Sequence, residues 1–272
     1  MSGRGPLEAL VESWQTGHNE AKDEGRSSVP WSSEPPAGTD RREIEWQYDA
    51  PDGLERVEEW LLEGNGSEPF GFTVLDGSSA ELVDAYYDTE DWRLYRAGYA
   101  LRVRQEAGGS YMATMKTLTP AGGVAGNLRE WREITEPLKS DEADALLEAP
   151  GLVGRRFKEF VCPRRLRSLF VVRTCRRTFG LVSAGVRVGE VALDRSEIAL
   201  DGDEPTRLVR VEIEADPSAT TIPQELEGFA EAMEEALGLR STAISKYEAG
   251  LSATGQSPKG EPGAGTKDAK EK

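Results

Sequence analysis

Residues 94–104, Leu94-Tyr95-Arg96-Ala97-Gly98-Tyr99-Ala100-Leu101-Arg102-Val103-Arg104, run into Gln105 and, past Gly108-Gly109, into Tyr111-Met112-Ala113-Thr114-Met115-Lys116-Thr117. From Ala100 onward, apolar and charged residues alternate at period two, as in a half-buried strand. Two such runs joined across a Gly-Gly pair read as a β-hairpin. Outward from it, strand patterns recur at Arg42–Tyr48, Glu81–Thr89, Leu128–Glu136, Phe170–Phe179, Val186–Leu193 and Arg207–Ala215. Helical spacing is rarer. It predicts helices over Pro51–Leu62, over Asp141–Leu147 with Ser140 as N-cap, and over Pro223–Leu237, which stops at Gly238. About eight antiparallel strands with three or four helices make an α+β protein whose sheet is closed or strongly curved.

The chain has 272 residues and a formal net charge of −16, which disfavours nucleic acid or an anionic membrane as a partner through net charge alone. Any anion site must be a local concentration of basic residues. No apolar run reaches the roughly 18 residues of a membrane span. Cys162 and Cys175 make neither a disulfide framework nor a zinc site, and the N-terminus lacks a signal-peptide core, so the cytoplasm is expected. The one histidine, His18, lies in a polar stretch. Histidine-based catalysis is therefore disfavoured, and chemistry falls to carboxylates, lysines and arginines. Residues 1–40 read as a flexible extension with a short amphipathic helix on Leu7, Leu10, Val11 and Trp14, then a Ser/Pro-rich linker. Residues 41–251 read as one domain, and 252–272 as a disordered tail.

Residues i and i+2 of a strand share a face. That places Glu43 with Glu45, Arg102 with Arg104, Lys116 with Met112 and Thr114, Arg173 with Arg177, and Glu212 with Glu214; Asp194 ends a strand. Arg176 falls on the face opposite Arg173 and Arg177. Polar strand faces usually meet water. Paired like charges gain nothing there. They make sense if the strands close around a polyanion and its cations, with arginines on phosphate oxygens and carboxylates on hard divalent ions.

The chain resembles the CYTH family, the class IV adenylate cyclase and thiamine triphosphatase group also called triphosphate tunnel metalloenzymes. The resemblance rests on Glu43-Ile44-Glu45-Trp46-Gln47, Tyr87-Asp88-Thr89, Leu94 to Arg104, Ala113 to Thr117, Arg173 to Thr178, Val191 to Asp194, Val211 to Glu214 and Ser245-Lys246-Tyr247-Glu248. It spans about residues 41–251 and implies an eight-stranded antiparallel β-barrel with flanking helices and a charged lumen. It further implies divalent-metal-dependent hydrolysis of a triphosphate compound, inorganic or organic (such as thiamine triphosphate), with a small-molecule triphosphate or polyphosphate as partner. With Mg²⁺ or Mn²⁺, the ligands would be Glu43, Glu45, Glu133, Asp194, Glu212 and Glu214. Arg102, Arg104, Lys116, Arg173, Arg177 and Lys246 would bind substrate. Glu43, Glu45, Lys116 and Lys246 would be catalytic.

Two positions depart from the family pattern. Gln47 stands where a phosphate-binding Lys is usual, and Trp131 and Thr135 flank Glu133 where charged residues are usual. The family's frequent histidine-rich helical domain is not expected. A binding module without turnover and a cyclase acting on ATP are the rival readings of the same lumen. A third rival is the basic run 155–177, where Arg155, Arg156, Lys158, Arg164, Arg165, Arg167, Arg173, Arg176 and Arg177 face one acid, Glu159.

Overall fold

The alternating runs form strands, several of them longer than their sequence patterns outline. The computed structural model describes residues 38–64, 71–106, 109–119, 128–199, 204–218 and 224–258, with Pro262. In chain order its strands are β1 (Asp40–Asp49), β2 (Thr73–Thr89), β3 (Tyr99–Gln105), β4 (Tyr111–Thr117), β5 (Leu128–Leu138), β6 (Leu166–Ser183), β7 (Val186–Ile198), β8 (Thr206–Ala215) and β9 (Arg240–Ser241). The helices are α1 (Glu55–Glu63), α2 (Arg93–Arg96), α3 (Ala143–Glu148), α4 (Leu152–Val161), α5 (Gln224–Leu237) and α6 (Lys246–Ala253). The expected helix at residues 7–14 lies outside the described residues.

Strands pair antiparallel in the order β5-β4-β3-β2-β6-β7-β8-β1, and β1 returns to β5. Eight strands therefore close into a barrel, which leaves no free edge along that ring. β9 adds two residues beside the end of β1, where pairing with β5 has run out. The β3–β4 hairpin forms as expected, and its register sets Arg102 opposite Thr114 and Gln105 opposite Tyr111. Gly109 in its turn takes φ +86°, a left-handed conformation that glycine adopts without a Cβ clash.

β2 begins eight residues before its expected start, and Asp76-Gly77-Ser78 forms a bulge within it. The register against β6 shifts between Asp76 and Ser79. A Cβ on Gly77 would sit 2.4 Å from the Thr178 carbonyl oxygen, so the close approach requires glycine.

The apolar strand faces point outward and are roofed by helices. Trp46, Tyr48, Phe179, Val191, Val211 and Ile213 pack against Leu54, Val57 and Leu61 around α1 and against Leu226, Phe229 and Met233 of α5. On the other side, Leu101, Val103, Ala113, Met115 and Ile134 meet Leu146 of α3 and Val153, Phe157 and Val161 of α4. Each such fully buried side chain contributes about 1.5–3 kcal/mol. α4 was not read from the sequence, although Val153, Phe157 and Val161 recur every four residues; the dense arginines around them mask the stripe. Glu136 accepts the backbone N–H groups of Gly151 and Gly154, placing an anion at the N-terminus of α4.

A third cluster closes one end of the barrel. Tyr86, Phe170, Val172 and Ile198 meet Tyr247 and Leu251 of α6. Gly250 lets the helix sit against the Phe170 ring, which an added Cβ would overlap at 2.1 Å. α6 runs past the expected domain end at 251, and Gln256 beyond it donates to the Leu169 carbonyl (2.6 Å) and accepts from Arg167 (2.9 Å). Residues 252–258 are thus held on the barrel rather than loose. Among the described residues, no helix is long and apolar enough to cross a membrane.

Candidate functional site

Because the apolar faces point out, the charged faces point in. On β1, Arg41, Glu43, Glu45 and Gln47 line a central cavity of about 170 Å³, while Ile44, Trp46 and Tyr48 join the outer core. β3 contributes Arg102 and Arg104, β4 contributes Lys116, β5 Glu133 between Trp131 and Thr135, and β8 Glu212 and Glu214. The first turn of α6 brings Lys246 to the lumen. Ser245 holds that turn in a capping box, exchanging hydrogen bonds with Glu248.

Arg173 and Arg177 do not reach the cavity. Their face of β6 also carries Val171, Phe179 and Leu181, which the outer cores bury, so both arginines are carried outside. Arg177 meets Asp76 at 3.0 Å and Glu58 at 3.3 Å. Arg176, on the opposite face with Thr174 and Thr178, is the β6 arginine that enters. By its apolar side chain Val172 would be assigned to the outer face. Val172 instead belongs to the apolar plug at the barrel end, where a lumen-facing residue is also greasy.

Ion pairs organise the lumen into two groups. In the first, Arg176 binds Asp194 bidentately (2.8 and 2.7 Å) and Glu212 at 2.5 Å. Lys246 meets the same two acids at 2.6 Å each, and Gln47 donates to Glu212 at 3.1 Å. In the second, Lys116 lies 2.5 Å from Glu43 and 3.2 Å from Glu45, over the Trp131 ring at 5.4 Å. Arg41 holds Glu133 at 2.7 Å. Arg102 spans Glu133 (3.6 Å) and Asp84 (3.8 Å), and Arg104 grips Asp84 through two bonds of 2.7 and 2.9 Å.

Burial alone would raise every one of these carboxyl groups. For Asp84, Arg104 and Arg102 outweigh it and bring the group down to about 2. For Asp194 the positive charges of Arg176 and Lys246 do the same, and Lys246 and Arg176 hold Glu212 well below the usual range. Glu43 and Glu214 go the other way. Burial pushes Glu43 up to about 7 against the pull of Lys116, with Glu133 and Glu45 adding repulsion. Burial, then Glu43 and Glu190, push Glu214 up to about 8.

Those two groups and Glu45 are the carboxylates that converge: one oxygen from each lies within 4.8 Å of the others. Three carboxylates crowded together, with Lys116 as the cation beside Glu43 and Glu45, fit a hard divalent ion, which would relieve the repulsion. The other acids expected as ligands sit nearby with their oxygens already on cations: Glu133 on Arg41, and Asp194 and Glu212 on Arg176 and Lys246.

The sequence reading missed Arg41, Asp84, Tyr86 and Glu190. Arg41 was findable, because it lies two residues before Glu43 on the same strand face. Asp84 was hidden in an apolar run, between Val83 and Ala85. Asp88, in the characteristic Tyr87-Asp88-Thr89 segment, is structural. Its carboxylate accepts the backbone N–H groups of Thr89, Leu94 and Tyr95 and so fixes α2 at the head of β3.

A barrel with this lumen is the architecture of a known class. The family model for the CYTH domain matches residues 67–250, and the chain belongs to the CYTH family. Among solved structures it is similar to HpAC1 from Hippeastrum, a candidate adenylyl cyclase described as having a dominant triphosphatase activity (17% identity, TM-score 0.58, covering 78% of this chain and 96% of that one). It is also similar to a candidate adenylate cyclase from Bacillus halodurans (20% identity, TM-score 0.52, covering 77% and 97%). At these identities the likeness speaks to the fold. No curated protein matches the chain.

Proposed function

We propose that the protein hydrolyses a triphosphate compound, inorganic triphosphate or an organic triphosphate such as thiamine triphosphate, with Mg²⁺ or Mn²⁺. The observation that carries this reading is the convergence of Glu43, Glu45 and Glu214 beside Lys116, Arg102, Arg176 and Lys246 in one enclosed lumen. Glu43, Glu45 and Glu214 would hold a divalent ion, which when bound would supply charge neutralisation for phosphate oxygens and a water of lowered pKa.

The chain's own residues do the rest. Arg102 and Arg176 present guanidinium forks to phosphate oxygens, and Lys116 and Lys246 act as point charges. Asp84 holds Arg102 and Arg104 in place, and Asp194 holds Arg176 and Lys246. Substrate phosphate then replaces part of an ion-pair network already oriented towards it, so little reorganisation is needed. The reading includes a cytoplasmic location, as the sequence leads one to expect.

A phosphate-release screen over inorganic triphosphate, thiamine triphosphate, ATP and long-chain polyphosphate with Mg²⁺ and Mn²⁺ tests the proposal. Release that stops in Glu43→Gln or Glu214→Gln supports it. Wild-type protein that releases none with either ion overturns it, and cyclic AMP formed from ATP assigns a cyclase instead. Gln47, which leaves one cation fewer than the family pattern, favours a second reading, a binding module. Tight calorimetric binding of triphosphate without release would establish that one.

A further inference from the structure

Positive charge is distributed unevenly along the lumen. At the end beneath α6, Arg176 and Lys246 face Asp194 and Glu212, two cations against two acids. Gln47 belongs to this end. Its backbone carbonyl accepts the N–H of Thr242 ahead of α6, and its side chain gives Glu212 a donor but no charge. Arg41 lies earlier on the same face of β1, about 20 Å away along the strand.

The balance around Arg41 is different. Its Nε and Nη2 both donate to one oxygen of Glu133, at 2.9 and 2.7 Å, and Arg102 lies 3.6 Å from the other oxygen. Arg102 and Arg104 both turn to Asp84, at 3.8 and 2.7 Å. Three guanidiniums thus share two carboxylates. The Glu133 bonds use two of the five N–H donors of the Arg41 guanidinium. Arg41 lines the central cavity and also a second, smaller one of about 30 Å³, so it borders two open spaces. Glu43 and Glu214, two of the candidate metal ligands, lie close enough to act on its charge.

We propose that Arg41 is a further substrate-binding residue, which takes the phosphate of inorganic triphosphate that lies farthest from α6. It supplies at that end the positive charge that Gln47 does not supply at the other. This assignment rests on the triphosphatase reading and deepens it, by adding a phosphate contact outside the Glu43–Gln47 motif. Glu133 holds the guanidinium in place beforehand, so little side-chain freedom is lost when phosphate arrives.

The test is calorimetry on the full chain. Inorganic triphosphate is titrated in EDTA and again with Mn²⁺, and Mn²⁺ alone is titrated separately. Arg41→Gln is expected to weaken triphosphate binding at least about tenfold and to make it less sensitive to salt, because a charged contact is lost. Its affinity for Mn²⁺ alone holds or tightens, because a cation beside Glu43 and Glu214 is gone. Arg41→Lys keeps the charge without the fork and retains most of the triphosphate affinity. Unchanged triphosphate binding in Arg41→Gln overturns the proposal. So does a parallel loss of triphosphate and Mn²⁺ binding in both variants, since Arg41 would then only keep Glu133 and the lumen in shape. If wild type binds triphosphate without releasing phosphate, and Arg41→Gln still binds it more weakly, Arg41 stays as assigned and the triphosphatase reading falls. Wild type that binds no triphosphate in either condition removes both.

Discussion

Glu43 and Glu214 are carboxyl groups whose ionisation the fold opposes, and a cation bound as proposed would reverse that. Protons and metal would then compete for the same oxygens. With Glu43 at about 7 and Glu214 at about 8, Mn²⁺ affinity is expected to rise steadily from pH 6 to pH 9. Calorimetry in buffers of different ionisation enthalpy would count the released protons, and an affinity flat over that range would contradict the assignment. Asp84 predicts the opposite kind of dependence. Its folded value of about 2 lies below its ordinary 3.8, so on acidification the unfolded chain takes up the proton first. The stability it contributes is fully present above about pH 4 and is lost as pH falls through about 2. Urea unfolding between pH 2 and 5 would show the slope. Asp84→Asn should remove that slope and cost about 3 kcal/mol at neutral pH by leaving Arg104 without its partner.

At the level of the element, β6 shows what strand parity decides. Arg176 and Arg177 are adjacent, yet one binds Asp194 inside the barrel and the other binds Asp76 outside. Arg176→Ala is expected to lower phosphate release at least about 100-fold, and Arg177→Ala to leave it within about twofold. Steady-state kinetics on the two variants check this, and the reverse order would mean the strand is read a residue out of register. The strands themselves were legible because period two survives in each charged run. The β6 face was not, because Val172 in the end plug imitates an outer residue, and its true neighbours become visible only once α6 is in place. The same limit hid Asp84, whose partners Arg102 and Arg104 lie on the neighbouring strand.

For the whole molecule, closure is the device that makes the lumen work. Apolar residues that would fill the middle of a sandwich lie outside under helices, and the ionised groups are left facing one another. They pair with one another in two ion-pair groups, and in the proposed reading a triphosphate and its metal would bind among them. Such a ligand would bind the folded state alone and so stabilise the fold by about 2.7 kcal/mol at a hundred times its Kd. For a chain of this size that is a rise of roughly 5 °C or more in Tm. Thermal unfolding with Mn²⁺ and inorganic triphosphate together should show it, and EDTA should abolish it. A shift of the same size with Mn²⁺ and sulfate would argue against a triphosphate site.

Alternation of charged and apolar residues by itself determined that the chain forms antiparallel strands and that their polar faces carry like charges in pairs. These are local properties, set by which side of a strand each residue occupies. Only the tertiary structure decided which arginine of β6 faces in and which carboxylates meet as a ligand set. It alone also showed that Arg41 and Arg102 share the carboxylate of Glu133. Those facts depend on which strands become neighbours when the barrel closes, and on which helix seals its end, and the spacing of residues along the chain carries neither.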